Sequence, residues 1–250
     1  VLLSDSQLLR YSRQIMLPQL DVAGQEKLLS ASVLVVGLGG LGSPVAMYLA
    51  AAGIGRLMLA DFDQVDHTNL QRQIVHCEES VGELKTASAE KRLRSLNADI
   101  KIETYAVSVD GELLKKLMSN VDVVVDCSDN FSTRFLLNQF CVAYSVPLVS
   151  GAAIRTEGQL AVYDAREVDS PCYQCLYANL GEESLGCSEA GVLSPIVGVI
   201  GAMQSVEAIK VLTGMGRSSV GYLMLYDGLT MDWRKLRIKK DPSCEVCSGG

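Results

Sequence analysis

The run Val33-Leu-Val-Val-Gly-Leu-Gly-Gly-Leu-Gly42 constrains the fold of this chain more than any other stretch. Four apolar, mostly β-branched residues read as a strand buried on both faces. Gly37, Gly39 and Gly42 follow at the G-x-G-x-x-G spacing, with Gly40 beside them, and the Ala-rich segment 45–52 reads as a helix. Glycines let the backbone turn tightly and lie against a phosphate, and the helix N-terminus offers unpaired N–H groups and partial positive charge to an anion. A phosphate-bearing ligand is expected here.

The surrounding pattern alternates. Apolar strands are expected at Ser32–Val36, 57–60, 100–105, 121–125 and 147–150, separated by helices at 45–52, 83–97, 113–118 and 131–144. On the helices at 83–97 and 131–144 the expected core stripes are Leu84, Ala87, Leu93 and Leu96, and Leu136, Phe140 and Tyr144. Continuous apolar strands alternating with helices predict an α/β, Rossmann-like, mostly parallel, doubly wound sheet with right-handed crossovers. Two helices precede it, at 8–15 (with Ser4 and Asp5 as cap) and 22–29. Past residue 155 the texture changes. Segments 159–163 and 222–226 look like strands of an antiparallel extension, with a Gly/Glu/Ser-rich loop at 179–191 and a long helix at Ser194–Thr213 between them. We therefore expect one domain over 1–250, its nucleotide-binding part at 1–155 and a second part at 156–250.

With 250 residues and 48% apolar content, the chain can bury a sizeable core. Its net charge of −7 counts against nucleic acid or an anionic membrane as partner. The N-terminal residues lack the basic flank and apolar core of a signal peptide, although the chain opens at Val1 rather than Met. The apolar run 192–203 is broken by Pro195, Gly198 and Gly201 and reads as a packed core helix rather than a bilayer span. Cysteines in a chain of this length without an export signal are expected to be reduced, which suggests the cytoplasm.

Asp61 ends the second strand, where an acid can accept hydrogen bonds from ribose hydroxyls. That fits NAD and ATP alike. The next stretches separate them: Asn69-Leu-Gln-Arg72-Gln73 and Lys85 bring cations, and Asp129 follows another strand on the same carboxyl-end side. Arg and Lys suit a triphosphate and Asp suits its Mg²⁺, whereas a dehydrogenase needs none of them. Taken singly, each is as easily a solvated surface charge. A second site is expected from Cys172-x-x-Cys175 and Cys244-x-x-Cys247, two pairs that can each bind one edge of a tetrahedral, structural Zn²⁺. Two disulfides are the less favoured alternative.

Gly37-Leu-Gly-Gly-Leu-Gly42, Asp61-Phe-Asp63, Asn69-Leu-Gln-Arg-Gln73, Lys85 and Cys127-Ser-Asp-Asn130 together closely resemble the adenylating domain of the ubiquitin-activating superfamily. Within it the chain resembles the bacterial MoeB/ThiF group from about residue 4 to 248, and Ser150-Gly-Ala-Ala-Ile-Arg155 resembles the MoeB branch more than ThiF. The resemblance implies that the C-terminal Gly-Gly carboxylate of a small ubiquitin-fold sulfur carrier (MoaD-like, or ThiS in thiamine synthesis) attacks the α-phosphate of MgATP. The products are an acyl adenylate and pyrophosphate, and a separate sulfur donor protein then forms the thiocarboxylate. It further implies that Gly37, Gly39, Gly40, Gly42, Asp61, Asp63, Asn69, Arg72, Gln73, Lys85, Asp129 and Asn130 hold the nucleotide and that 156–250 binds the carrier. Arg13 matches a residue that reaches the ATP of a neighbouring subunit, implying a homodimer.

Of the remaining cysteines, Cys127 and Cys141 read as core fillers. Cys77 beside His76 hints at a dyad, but adjacent residues rarely face each other. Cys187 lies in the glycine- and acid-rich loop where relatives carry a transfer thiol, yet Glu182, Glu183 and Glu189 would raise its pKa. The basic strip 234–240 reads as a solvated strand edge, or more sharply as a docking face for an acidic carrier. Two further classes compete with the adenylating enzyme: an NAD-dependent oxidoreductase and a non-catalytic zinc-stapled scaffold. Arg72, Lys85 and the two cysteine pairs count against the first, and the intact set Arg72, Lys85 and Asp129 counts against the second.

Overall fold

The computed structural model describes residues 3–177 and 191–248. Ser32–Val36 forms β1, with Val33, Leu34 and Val35 fully buried. It lies between β2 (Arg56–Ala60) and β4 (Val123–Asp126), both parallel to it. β3 (Lys101–Tyr105) and β5 (Leu148–Ile154) extend the parallel sheet outward. β6 (Glu157–Tyr163), β7 (Tyr222–Asp227) and β8 (Asp232–Arg237) continue it antiparallel, so the spatial order is β3-β2-β1-β4-β5-β6-β7-β8. The sheet runs without a break across residue 155, where Arg155 turns the β5–β6 hairpin at φ +54°.

Strand residues alternate between faces, so β1 feeds two cores. On one face Val33 and Val35 pack with α4 (Gly42–Ala52), α5 (Lys85–Leu96) and the long α9 (Ser194–Thr213). On the other, Leu34 and Val36 pack with α6 (Gly111–Leu117) and α7 (Phe131–Ala143). The connections change direction between β1 and β4, which opens a crevice at the carboxyl ends of the strands. Register sharpens this: Val36 is level with Ala60 on one side and Asp126 on the other. Three loops therefore begin side by side, at residues 37, 61 and 127.

α9 has the length and mean hydropathy of a membrane span, but it is built into the fold. Gly201 lets it approach α4 closely, since a methyl there would lie 2.5 Å from the Leu41 carbonyl oxygen. Its fully buried Gln204 donates from Nε2 to the carbonyls of Asp126 (2.7 Å) and Val149 (3.3 Å).

Several expectations shift. The N-terminal helix breaks at Tyr11 into α1 (Asp5–Arg10), with a Ser4–Gln7 capping box, and α2 (Ser12–Ile15); α3 (Asp21–Ser30) follows. On α5 the buried face is Lys85, Thr86, Ser88, Ala89 and Leu93, not Leu84 and Ala87. On α7 it is Arg134, Leu137, Asn138 and Cys141, with Leu136 and Phe140 on its flank and Tyr144 exposed. In both helices hydrogen-bonded polar side chains occupy places that an apolar count assigns to the other face. β5 is longer than expected because residues 151–154 pair with β6, and the short α8 (Tyr173–Tyr177) was not anticipated.

Candidate nucleotide site and four-cysteine cluster

The glycine loop is fixed from three sides. Gly37 sits at φ +89°, and a methyl on it would lie 2.7 Å from the Cys127 carbonyl oxygen. Its N–H donates to the Ala60 carbonyl at 2.8 Å. The Leu38 N–H donates to Asp61 Oδ2 at 2.6 Å, and the Asp63 N–H donates to Asp61 Oδ1 at 2.8 Å. Asp61 is thus the tether of the loop as well as an acid at its edge. A carboxylate has about four lone-pair sites, so capacity for a ligand hydroxyl is left. Burial pushes its pKa up, an effect countered by the Leu38 N–H and by the Lys85 charge. Among the described residues, the N–H groups of Gly39, Gly40 and Leu41 donate to no protein acceptor. They stand at the N-terminus of α4, where the helix dipole favours an anion.

Gly39, Gly40 and Leu41 line a cavity of about 460 Å³ together with Gly37, Asp61, Asp63, Arg72, Gln73, Lys85, Asp129 and Asn130. Lys85 opens α5, is buried, and holds Asp63 Oδ2 at 2.7 Å. Arg72 is half-buried, its Nη1 donating to the Thr68 carbonyl at 3.2 Å. Gln73 is 4% exposed, and its Oε1 is a buried acceptor without a partner among the described residues. Asp129 stands exposed at the rim.

Other expected residues serve the fold locally. Gly42 belongs to α4 and is absent from the cavity wall. Asn69 closes a capping box on the 3-10 turn His67–Asn69. Asn130 lines the cavity but spends its Oδ1 on capping α7, accepting from the Thr133 N–H at 2.9 Å. Arg13 is exposed on α2, whose Gln14 donates to the Ala52 carbonyl at the far end of α4. Eleven helical residues span roughly 16 Å, so Arg13 stands well away from the glycine loop of its own chain. Cys187 lies outside the described residues.

The sequence reading missed the network beneath the cavity. Arg134, 5% exposed, donates from Nη2 to the carbonyls of Ser128 (2.6 Å) and Gly151 (3.1 Å), and its Nε lies 4.0 Å from Asp126 Oδ2. Asp126 is fully buried and accepts from the hydroxyls of Ser128 (2.6 Å) and Ser150 (2.8 Å). Together they hold the turn that presents Asp129. The available signal was Asn130, Arg134 and Asn138 at steps of four along one helix face. His76 was also passed over as an actor. It is buried and bonds Ser88 and Leu38, while Cys77 is exposed, so the two form no dyad.

At the other end of α7, Cys172, Cys175, Cys244 and Cys247 bring their sulfurs within 4.8 Å of one another. The spacings Cys172–Cys175 (3.9 Å), Cys172–Cys244 (3.6 Å) and Cys175–Cys247 (3.4 Å) exceed the S–S bond of about 2.05 Å. They match the edge of a tetrahedron with metal–sulfur bonds of about 2.3 Å, which is about 3.8 Å. Asn138 Nδ2 and the Asp241 N–H approach Cys172 and Cys175 at 3.5 and 3.4 Å, as donors that stabilise thiolates do. The donor set fits zinc, with no position left for substrate. Cys127 and Cys141 are buried core residues, and burial raises both thiols far from reactivity. The basic strip begins on β8, an exposed edge strand on which Lys235 Nζ lies 4.0 Å over the Tyr222 ring.

A parallel sheet with its switch point at an anion-binding glycine loop, flanked by Lys85, Arg72 and Asp129, defines a nucleotide-binding α/β protein. The ThiF family profile matches residues 11–246, and the chain belongs to that family. It is 47% identical over 245 residues to the molybdopterin-synthase adenylyltransferase of Escherichia coli, covering 98% of both chains. It is 43% identical over 247 residues to the sulfur carrier protein ThiS adenylyltransferase of the same species, covering 99% and 98%. The adenylyltransferase and sulfurtransferase MOCS3 of Anopheles gambiae matches 98% of the chain at 47% identity, over 56% of its own length. Among solved structures, the microcin C7 biosynthetic enzyme MccB in complex with N-formylated MccA superposes with a TM-score of 0.85 at 25% identity, covering 95% of this chain and 74% of that one. The chain is accordingly an adenylyltransferase.

Proposed function

We propose that this chain transfers AMP from ATP to the C-terminal glycine carboxylate of a small ubiquitin-fold sulfur carrier of the MoaD type. A carboxylate oxygen forms a bond to the α-phosphorus, the bond to the β-phosphate oxygen breaks, and pyrophosphate leaves. A sulfur donor protein then displaces AMP from the acyl adenylate. The observation that carries this reading is one cavity that combines three unpaired N–H donors (Gly39 to Leu41), the cations Arg72 and Lys85, and the rim carboxylate of Asp129.

Anion meets anion in this step, so the site must supply positive charge and alignment rather than a base. The loop N–H groups and Arg72 take up charge on the departing pyrophosphate. Lys85 does the same once nucleotide draws it from Asp63. Mg²⁺ is bound by few carboxylates plus substrate phosphates, and Asp129 is the residue to hold it. Asp61 contacts the ribose, and Gln73 and Asn69 supply polar contacts. Arg13, remote from its own cavity, acts on the ATP of a second copy in a homodimer. We assign 1–155 to the nucleotide and 156–250 to the carrier and zinc within one domain. The four reduced cysteines suit the cytoplasm. The ThiS carrier is the second reading, favoured by the full-length match to the ThiS enzyme.

The test is to incubate the chain with MgATP and a panel of Gly-Gly-ending carriers and to look for the adenylate by mass. Formation with a MoaD-type carrier is expected; adenylate on ThiS alone selects the second reading, and none on any carrier overturns both. Arg72→Ala and Asp129→Ala should each lower ATP–pyrophosphate exchange by about a hundredfold or more, as loss of a transition-state charge contact does, with the melting temperature unchanged. Near-normal exchange in either rejects its assigned role.

A further inference from the structure

His76 takes no part in the chemistry above, yet it is 6% exposed and both ring nitrogens are engaged. Nε2 lies 3.0 Å from the Leu38 carbonyl oxygen and Nδ1 lies 2.9 Å from Ser88 Oγ. A carbonyl can only accept, so Nε2 carries the proton, and in the neutral ring Nδ1 accepts from the Ser88 hydroxyl. Leu38 is then clamped twice: its N–H by Asp61 at 2.6 Å and its C=O by His76.

The peptide linking Leu38 to Gly39 is trans, so its C=O and N–H point in opposite directions. Holding the Leu38 carbonyl therefore fixes the direction of the Gly39 N–H, which donates to nothing else among the described residues and belongs to a cavity-lining residue. We propose that His76 is a positioning residue that aims the Gly39 N–H into the nucleotide cavity, with Ser88 setting its tautomer. Burial pulls the His76 pKa down, the Leu38 hydrogen bond opposes this and the nearby Lys85 charge adds to it; the net shift keeps the ring neutral, so that Nδ1 stays an acceptor for Ser88. His76 reaches the loop from the segment that carries Arg72 and Gln73, its own N–H donating to the Gln73 carbonyl at 3.0 Å. The same chain turn thus supplies cavity groups and orients the loop facing them.

The inference rests on the cavity binding ATP phosphates, and the test separates the two. Full-length wild type, His76→Leu, His76→Gln and Ser88→Ala are titrated with ATP and, by competition, with adenosine. One N–H donor to a phosphate is worth about tenfold or more in affinity, so His76→Leu should lose that for ATP and stay within about twofold for adenosine. His76→Gln, which keeps a side-chain N–H, should recover most of the loss. Ser88→Ala should show the same selectivity in smaller degree, about threefold, and decides the matter if His76→Leu fails to fold. Equal loss for ATP and adenosine, or no loss for ATP, overturns the assignment. Wild type that binds no ATP instead removes the nucleotide reading itself.

Discussion

At Gly42 a methyl group would sit 1.9 Å from the Gly37 carbonyl oxygen, inside the loop's own backbone. At Gly39, among the described residues other than its chain neighbours, the only heavy atom within 4 Å of that methyl is Gln73 Nε2, at an ordinary 3.6 Å. Two glycines of one motif therefore answer to different demands, the first from the fold and the second from the space beside the cavity. Gly42→Ala is expected to cost about 1–3 kcal/mol by overpacking and to lower the melting temperature. Gly39→Ala should melt like wild type yet bind ATP more weakly. Calorimetry and nucleotide titration of both variants check this, and a destabilised Gly39→Ala would contradict it. The G-x-G-x-x-G spacing is legible in the sequence; this division of labour is not, because it depends on which backbone atoms return to each Cα. The same limit hid His76 and Arg134. Neither has a visible partner for its polar atoms until the fold brings it against a loop carbonyl, Leu38 for one and Ser128 for the other.

Among the elements, the parallel strands were legible because burial on both faces leaves only apolar residues, as in Ser32–Val36. β8, exposed along its length, was legible only as the basic strip of a solvated strand edge, and α8, spanning five residues, carries no such signal. The faces of α5 and α7 were misread because Lys85, Ser88, Arg134 and Asn138 are buried with hydrogen-bond partners. Helix and strand existence follows from local pattern, whereas facing depends on partners far along the chain. One prediction belongs at this scale. Glu103 on β3 accepts from Arg56 Nη2 on β2 at 2.8 Å, and Lys101 and Tyr105 also reach it. The Arg56 hydrogen bonds, with those from Lys101, hold its pKa at about 2 against an ordinary 4.5. A depressed carboxylate stabilises the fold above its unfolded pKa and loses that contribution as pH falls toward the folded value. Solvent reaches both side chains, so we expect about 1 kcal/mol from the pair. Glu103→Gln should be less stable than wild type by that amount in urea at pH 7, and the gap should close between pH 4.5 and about 2. A gap that persists in acid would rule the ion pair out as its source.

For the molecule as a whole, the four cysteines join residues that the chain keeps far apart. Cys172 immediately precedes α8 and Cys175 lies within it, whereas Cys244 and Cys247 lie beyond the last strand. Zinc held by these thiolates would anchor the tail against α7 through Asn138, and structural zinc contributes on the order of 10 kcal/mol in small peptides. The expected stoichiometry is about one zinc per chain by elemental analysis, as a single four-thiolate site requires. Cys244→Ser, or removal of the metal by a chelator, should lower the melting temperature and expose the tail to protease. A chain that retains its melting temperature and tail protection without metal would refute a structural role. This site was legible because cysteine pairs are rare and their spacing is chemical rather than conformational.

The sheet order has a consequence for how the molecule comes into being. Ile154 pairs with Glu157 almost as soon as both exist, whereas Val33 must find Val123 across most of the first half of the chain. With sequence separations of 3 and 90, the loop-closure relation makes the second pairing costlier by about 3 kcal/mol. The β5–β6 hairpin is local and the β1–β4 seam is remote, and the crevice opens at that seam. A nascent chain that has emitted the whole glycine loop still lacks β4, and with it the turn bearing Asp129. Nucleotide competence therefore waits at least for β4 and the turn that follows it, and does not come with synthesis of the motif that announces it.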